Sequence, residues 1–310
     1  MIRIYKTINN VFTEIPEVIP KCWINISNPF EAELKNFSDE FNIPLDFLTD
    51  SLDINERSRV ETENNCTLIV CRAPVRETNN KDIPFATIPI GIVIKQEMII
   101  TICLSDAAEI LDLFSTKIRH FSTENRNQFV IHLFHRSAFL YLQSLEKLDE
   151  HTDVIETRLQ KSMRNEELIK LLNIEKSLVY FTTSLKSNQL MIERLARIKT
   201  LAFSAEDLDF LEDSSIDHIQ AMEMAEIHSN ILSGMMDAFA SVISNNLNIV
   251  MKFLTSITLI LMIPTLVASI YGMNVKLPFQ HSPHAFTITM AASLVISLSA
   301  AWIFLKKRWM

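Results

Sequence analysis

Residues 253–274 read FLTSITLILMIPTLVASIYGMN, and this stretch decides how the chain is organised. Residues 253–271 carry no charged side chain, and a second uncharged run covers residues 285–305. Each run is long enough to cross roughly 30 Å of hydrocarbon as a helix. The sequence therefore predicts two transmembrane helices, 253–271 and 285–305, which are joined by an outer loop at 272–284.

The charges divide the chain at Asp237, which is its last acidic residue. Beyond it only five basic residues are charged: Lys252, Lys276, Lys306, Lys307 and Arg308. Residues 1–237 therefore hold 24 of the 29 Lys and Arg and all 37 Asp and Glu, a formal charge of −13. An acidic soluble region suits cations as partners and argues against nucleic acid, although a solvated surface alone would also explain it.

The region before the first span mixes strand and helix patterns. Alternating β-rich runs at 67–74 and 85–102 precede two long helical periodicities near 126–161 and 166–200. We predict an α/β domain with a helical pair over residues 1–204. From about residue 205 no proline occurs before Pro264, so a helix over 205–252, the stalk helix, is expected to continue into the first span.

The two ends of the chain predict its orientation. The N-terminal residues have no apolar core of signal-peptide length, and a basic tail at 306–310 follows the second span. Both termini are therefore expected to be cytoplasmic, in a multi-pass protein of the cell membrane. The four cysteines form no CxxC pair, which fits a reducing compartment.

A polar seam runs along the predicted long helix. Its members recur at spacings of four and three residues, a period of 3.5 that keeps them on one side of a left-handed supercoil. The seam comprises Asp237, Ser241, Ser244, Asn248, Met251, Thr255, Thr258, Met262, Thr265 and Ser269. One interpretation is that small polar residues let membrane helices pack closely. The other is that several copies of the chain enclose a water-filled pore, with apolar rings as constrictions.

The tripeptide Gly272-Met273-Asn274, placed between the only two apolar spans, resembles the signature of the CorA family of magnesium channels. The resemblance extends to the acidic α/β cytoplasmic domain, the long stalk helix, the two C-terminal spans and the basic tail. It implies a homopentamer whose first span lines the pore. It also implies Mg²⁺ as both transported and regulatory ion, with Co²⁺ or Ni²⁺ as further cargo, no organic cofactor, and membrane lipids as the surroundings.

The resemblance also assigns roles to individual residues. Gly272, Met273 and Asn274 would form the selectivity filter, and Asp237 an acidic ring at the cytoplasmic mouth. Asp50 and Asp213 would bind regulatory metal across a subunit interface. The pore lining and gate would comprise Asn248, Met251, Leu254, Thr255, Thr258, Met262, Thr265 and Ser269.

Alternatives of two kinds remain open. The outer segment VKLPFQHSPH at 275–284 lacks the acidic residue that family members often carry, which leaves a transporter of zinc or another divalent cation as an alternative. A membrane-anchored coiled-coil sensor or scaffold without ion flux is the alternative of a different class. With three glycines, no phosphate-binding loop and no HExxH or GxSxG motif, the chain is not expected to be an enzyme.

Overall fold

The computed structural model describes residues 1–9, 11–77, 83–104, 122–161, 165–198, 201–274 and 283–307. The strands are β1 (Ile2–Ile8), β2 (Val11–Ile15), β3 (Trp23–Ser27), β4 (Arg59–Glu63), β5 (Cys66–Arg76), β6 (Phe85–Lys95) and β7 (Met98–Cys103). The α-helices are α1 (Glu31–Phe41), α2 (Leu45–Thr49), α3 (Arg126–Lys161), α4 (Asn165–Leu195), α5 (Ala205–Tyr271) and α6 (Ala285–Lys306). A 3₁₀ turn, Asp50–Leu52, follows α2.

The seven strands form one mixed sheet in the order β2-β1-β3-β7-β6-β5-β4. Among the described strands, only the pairing of β3 with β7 is parallel. The period-two pattern of β6 sends Ile88, Ile90, Ile92 and Ile94 to the face that packs against α3 and α4. On the other face Ile100 and Ile102 of β7 pack with α1 and α2. The predicted α/β class is confirmed as a sheet with helices on both faces.

Gly91 explains how the 3₁₀ turn reaches the sheet. A Cβ at this position would overlap the side chain of Ser51, which is fully buried. The close approach requires glycine because no other residue leaves this space free. Gly91 thereby positions Asp50, the first residue of the turn.

α5 is a continuous helix of 67 residues, in agreement with the predicted run from the stalk into the first span. Its first part packs on the α/β domain through a buried stripe, Leu211, Ser214, His218, Ala221, Ala225 and Leu232. The compact N-terminal unit accordingly runs from Met1 to Gly234, about 30 residues further than the 1–204 boundary, and a second unit starts at Met235.

Two contacts between histidine and aspartate join α3 to α5. The histidine lies on α3 in the first contact and on α5 in the second. His135 Nδ1 on α3 lies 2.9 Å from Asp217 Oδ2, and His228 Nδ1 on α5 lies 3.1 Å from Asp149 Oδ1. Of the HLFH pair in the sequence, His135 therefore contacts a carboxylate of another helix. Among the described residues, no group of three or more His, Cys, Asp or Glu is placed to hold a metal ion.

In the part of the chain that the structure describes, two helices, α5 and α6, are long and apolar enough to cross a membrane. Their most apolar windows have a mean hydropathy of 2.1 and are 6% and 11% buried within the chain. Such exposure is unfavourable in water and is expected for surfaces that face lipid or other copies.

Candidate functional site

Every residue of the polar seam is exposed on the surface of α5. The apolar members share this exposure, with 52% for Met251 and 60% for Met262. Leu254 is 57% exposed and lies one turn after Met251, on the same side of the helix. The chain therefore leaves the whole seam uncovered.

The opposite side of α5 is where α6 packs. Ser256 on α5 and Ser293 and Ser297 on α6 are buried between the two helices, and Ser297 Oγ donates to the Ile260 carbonyl over 3.4 Å. Serine at such a contact lets two helix backbones approach closely. At about 100° per residue, Thr258 and Met262 lie roughly 160° away from Ile260. The small residues at the contact between α5 and α6 are thus a different set from the seam.

Three hydroxyl groups of the seam donate their hydrogens within their own helix. Ser241, Thr258 and Thr265 donate to the carbonyls four residues earlier, over 3.0, 2.8 and 3.0 Å. Their oxygen lone pairs consequently remain available as acceptors on the exposed side. Acceptor oxygens suit cations and the hydrogens of their bound water.

The outer end of α5 carries the tripeptide. The Gly272 N–H donates to the Ala268 carbonyl over 2.9 Å, and that of Met273 to the Ile270 carbonyl over 3.2 Å. Gly272 has no positive φ, so its backbone conformation does not require glycine. The missing side chain matters instead, because an added Cβ would lie 3.3 Å from the Ala268 carbonyl oxygen. Met273 is 55% exposed.

Asn274 follows with an exposed side chain. Its amide makes no hydrogen bond with any described residue, and its φ is not positive, so it does not form a left-handed helix cap. The amide oxygen and nitrogen are free for a ligand. The described residues do not include the outer segment 275–282 or the tail 308–310. The expectations for these two segments therefore stay predictions.

The acidic positions differ in their surroundings. Asp237 and Asp213 are exposed on α5 and make no ion pair with a described residue. Asp50 instead accepts a hydrogen bond from Arg59 Nη2 over 2.9 Å. Within one chain no hydrogen bond or ion pair joins Asp50 to Asp213, and their proposed role between subunits stays a prediction.

Arg59 was not identified as a site residue from the sequence, yet it forms ion pairs with three carboxylates. It binds Asp50 and Glu56, and its Nε lies 3.2 Å from Glu61 Oε2. These ion pairs raise the pKa of Arg59 against the opposing effect of its burial. The alternating charges of DINERSRVE at 53–61 could have indicated ion pairs in this segment. They do not show which carboxylates bind Arg59.

Comparisons with known proteins identify the family of this chain. The family model described as "CorA-like Mg2+ transporter protein" matches residues 21–308. The cobalt/magnesium transport protein CorA of Methanocaldococcus jannaschii is 30% identical over 292 residues, covering 93% of this chain and 90% of the relative. The cobalt/magnesium transport protein CorA of Thermotoga maritima is 24% identical over 314 residues, covering 96% of this chain and 88% of the relative.

A solved structure supports the fold along the whole length. The complete structure of the CorA magnesium transporter from Methanocaldococcus jannaschii superimposes with a TM-score of 0.84 at 27% sequence identity. The match covers 100% of this chain and 99% of that one. From the α/β domain through the long helix to the final apolar helix, this chain belongs to the CorA-like Mg²⁺ transporter family.

Proposed function

We propose that this chain transports divalent metal cations across the cell membrane, with Mg²⁺ as the principal ion and Co²⁺ and Ni²⁺ as further cargo. The observation that carries the proposal is the polar seam, which is exposed along α5 on the side away from α6 and leads to the unpaired amide of Asn274. The names of the relatives, which include magnesium and cobalt transport, support the same class of cargo.

The pore requires several copies because one seam cannot enclose a path. We propose a homopentamer in which residues 253–271 of each copy line the pore and residues 285–305 face lipid, with both chain termini in the cytoplasm. Met251, Leu254 and Met262 form apolar constrictions, since closely spaced apolar rings exclude a hydrated ion. Asp237 forms an acidic ring at the inner mouth.

Transport is passive in this proposal. A divalent cation that enters a cell with a negative interior gains about 4.6 kcal/mol per 100 mV, so no coupled hydrolysis is required. Asn274 acts at the outer mouth by accepting hydrogen bonds from the water shell of the ion. This suits Mg²⁺, which loses its water reluctantly.

The test is ion flux into liposomes that contain the purified protein, with Mg²⁺, Co²⁺, Ni²⁺ and Zn²⁺ supplied in turn. We expect flux of Mg²⁺ that Asn274→Ala abolishes while the oligomer remains intact in size-exclusion chromatography. Hexaamminecobalt(III), whose ligands exchange too slowly to be stripped, is expected to block the wild type from outside.

Each alternative has its own outcome. Normal conduction by Asn274→Ala would show that the amide is not the filter. Flux of Zn²⁺ without Mg²⁺ would assign the chain to zinc transport, and no flux of any ion would leave the sensor or scaffold role.

A further inference from the structure

A cleft of about 640 Å³ lies in the N-terminal unit between residues 54–58 and the C-terminal half of α4. This volume is in the range of pockets that hold small molecules. Four cationic residues line it: Arg57, Arg72, Lys186 and Arg194. The cleft is thus a basic site in a part of the chain that is strongly acidic as a whole.

Arg72 lies half-buried at the base of the cleft and bonds only to neutral acceptors. Its guanidinium donates to the carbonyls of Ile54, Glu56 and Thr87 over 2.9, 2.5 and 2.7 Å, and to Ser184 Oγ over 3.1 Å. Among the described residues no carboxylate forms an ion pair with it, and Asp53 and Glu56 act on its charge only through space. A guanidinium held by neutral acceptors can still attract an anion nearby.

The other three cations are available to a ligand. Arg57, Lys186 and Arg194 are exposed, and their side chains make no hydrogen bond or ion pair with any described residue. Among the described residues of the lining, Glu56 is the one carboxylate, and Arg59, which lies outside the cleft, binds it. The positive charge of the cleft is therefore not neutralised from within.

An apolar surface adjoins these charges. Val179, Tyr180 and Leu190 line the same cleft and are 52%, 43% and 54% exposed. A tyrosine ring beside arginine and lysine side chains can stack against a planar base while the cations bind phosphate groups. Neither simple salt nor a purely apolar ligand would use both parts of this surface.

We propose that this cleft binds a nucleoside polyphosphate, with the phosphates on Arg57, Lys186 and Arg194 and the base against Tyr180. The proposal is independent of ion transport, because the cleft lies wholly within the N-terminal unit. Arg72 acts by its fixed charge at the base of the cleft.

The test is calorimetric titration of the detergent-solubilised full chain with ATP, tripolyphosphate and adenosine. EDTA is present, so that metal ions cannot bridge the phosphates to acidic residues such as Asp50. We expect ATP to bind most tightly, tripolyphosphate more weakly, and adenosine without saturation. The triple variant Arg57→Gln, Lys186→Gln, Arg194→Gln is expected to weaken ATP binding at least tenfold.

A matched triple variant removes the same charge outside the cleft: Lys35→Gln, Lys161→Gln, Lys176→Gln. It is expected to change ATP affinity less than twofold, and an equal loss in both triple variants would overturn the site. Tyr180→Leu is expected to weaken ATP binding but leave tripolyphosphate binding unchanged. Equal affinity of the wild type for ATP and tripolyphosphate would overturn recognition of the nucleoside.

Discussion

Gly91 and Gly234 are two glycines of the described chain with opposite surroundings. A Cβ on Gly91 would overlap Ser51, whereas one on Gly234 has no neighbouring heavy atom within 4 Å. Gly91→Ala is therefore expected to lower the free energy of unfolding by about 1–3 kcal/mol through overpacking. Gly234→Ala, in an exposed part of α5, is expected to raise it by up to about 1 kcal/mol through helix propensity.

Thermal unfolding of the two variants in detergent measures this difference. Adding Ser51→Gly to Gly91→Ala removes the obstructing side chain and should restore part of the loss. Two alanine variants that shift the midpoint in the same direction would contradict the steric reason given for Gly91.

His218 is a buried histidine on α5 with one nitrogen unpaired. Its Nδ1 lies 2.8 Å from the Ser214 carbonyl, while Nε2 has no hydrogen-bond partner among the described residues. Burial lowers its pKa to about 4, against the effect of the hydrogen bond to Ser214 and of nearby Asp217. The folded chain therefore keeps His218 neutral at a pH where the unfolded chain already binds a proton.

Because the folded pKa is below the unfolded value, the stability that depends on neutral His218 is fully present above about pH 6.5. It is lost as the pH falls towards 4, in total about 3 kcal/mol. His218→Gln is expected to remove this part of the pH dependence, measured as the unfolding midpoint between pH 7.5 and 4.5. An unchanged slope in the variant would show that His218 is not the titrating group.

At the scale of the element, α5 has two sides with different partners. Thr255 and Thr258 lie on the exposed seam, whereas Ser256 between them is fully buried against α6. Thr255→Cys and Thr258→Cys are expected to react with a water-soluble thiol reagent in the open channel. Ser256→Cys should react at least about tenfold more slowly, since a buried thiol has no access to water.

The four native cysteines are buried, so they should give little background. If all three introduced cysteines are equally unreactive towards the thiol reagent, the seam does not line a pore. It would then be a packing or lipid-facing surface.

At the scale of the whole molecule, we propose that Asp50 of one copy and Asp213 of the next bind regulatory Mg²⁺, the role that the family resemblance implies. Carboxylates of neighbouring subunits repel unless a divalent cation bridges them, so internal Mg²⁺ should hold the closed state. Asp50→Asn with Asp213→Asn is expected to weaken inhibition of flux by internal Mg²⁺ about tenfold. Arg59 retains Glu56 and Glu61 in this variant, which should preserve the local fold.

Flux into liposomes at graded internal Mg²⁺ provides the measurement. The control variant Asp39→Asn with Glu212→Gln removes two other exposed acids and should keep the wild-type inhibition curve. Unchanged inhibition in the Asp50 and Asp213 variant would mark both as ordinary surface acids.

The membrane portion, the long helix and the α/β class were predictable from the sequence, and the family confirms a transport protein rather than an enzyme. The spans were predictable because the signal lies within one segment. A segment in lipid must satisfy its backbone hydrogen bonds as a helix, so a long uncharged run by itself predicts a transmembrane helix. The absence of proline between Ala205 and Pro264 likewise predicted the continuous α5. The seam was visible because helical periodicity is a property of neighbouring residues.

Only the tertiary structure decided which distant residues meet. Arg57, Arg72, Lys186 and Arg194 line one cleft although more than a hundred positions of the chain separate the first pair from the second. The buried stripe from Leu211 to Leu232 places the start of α5 in the N-terminal unit, and Ser256 rather than Thr255 faces α6. Such contacts depend on packing between elements, which periodicity within one element cannot specify.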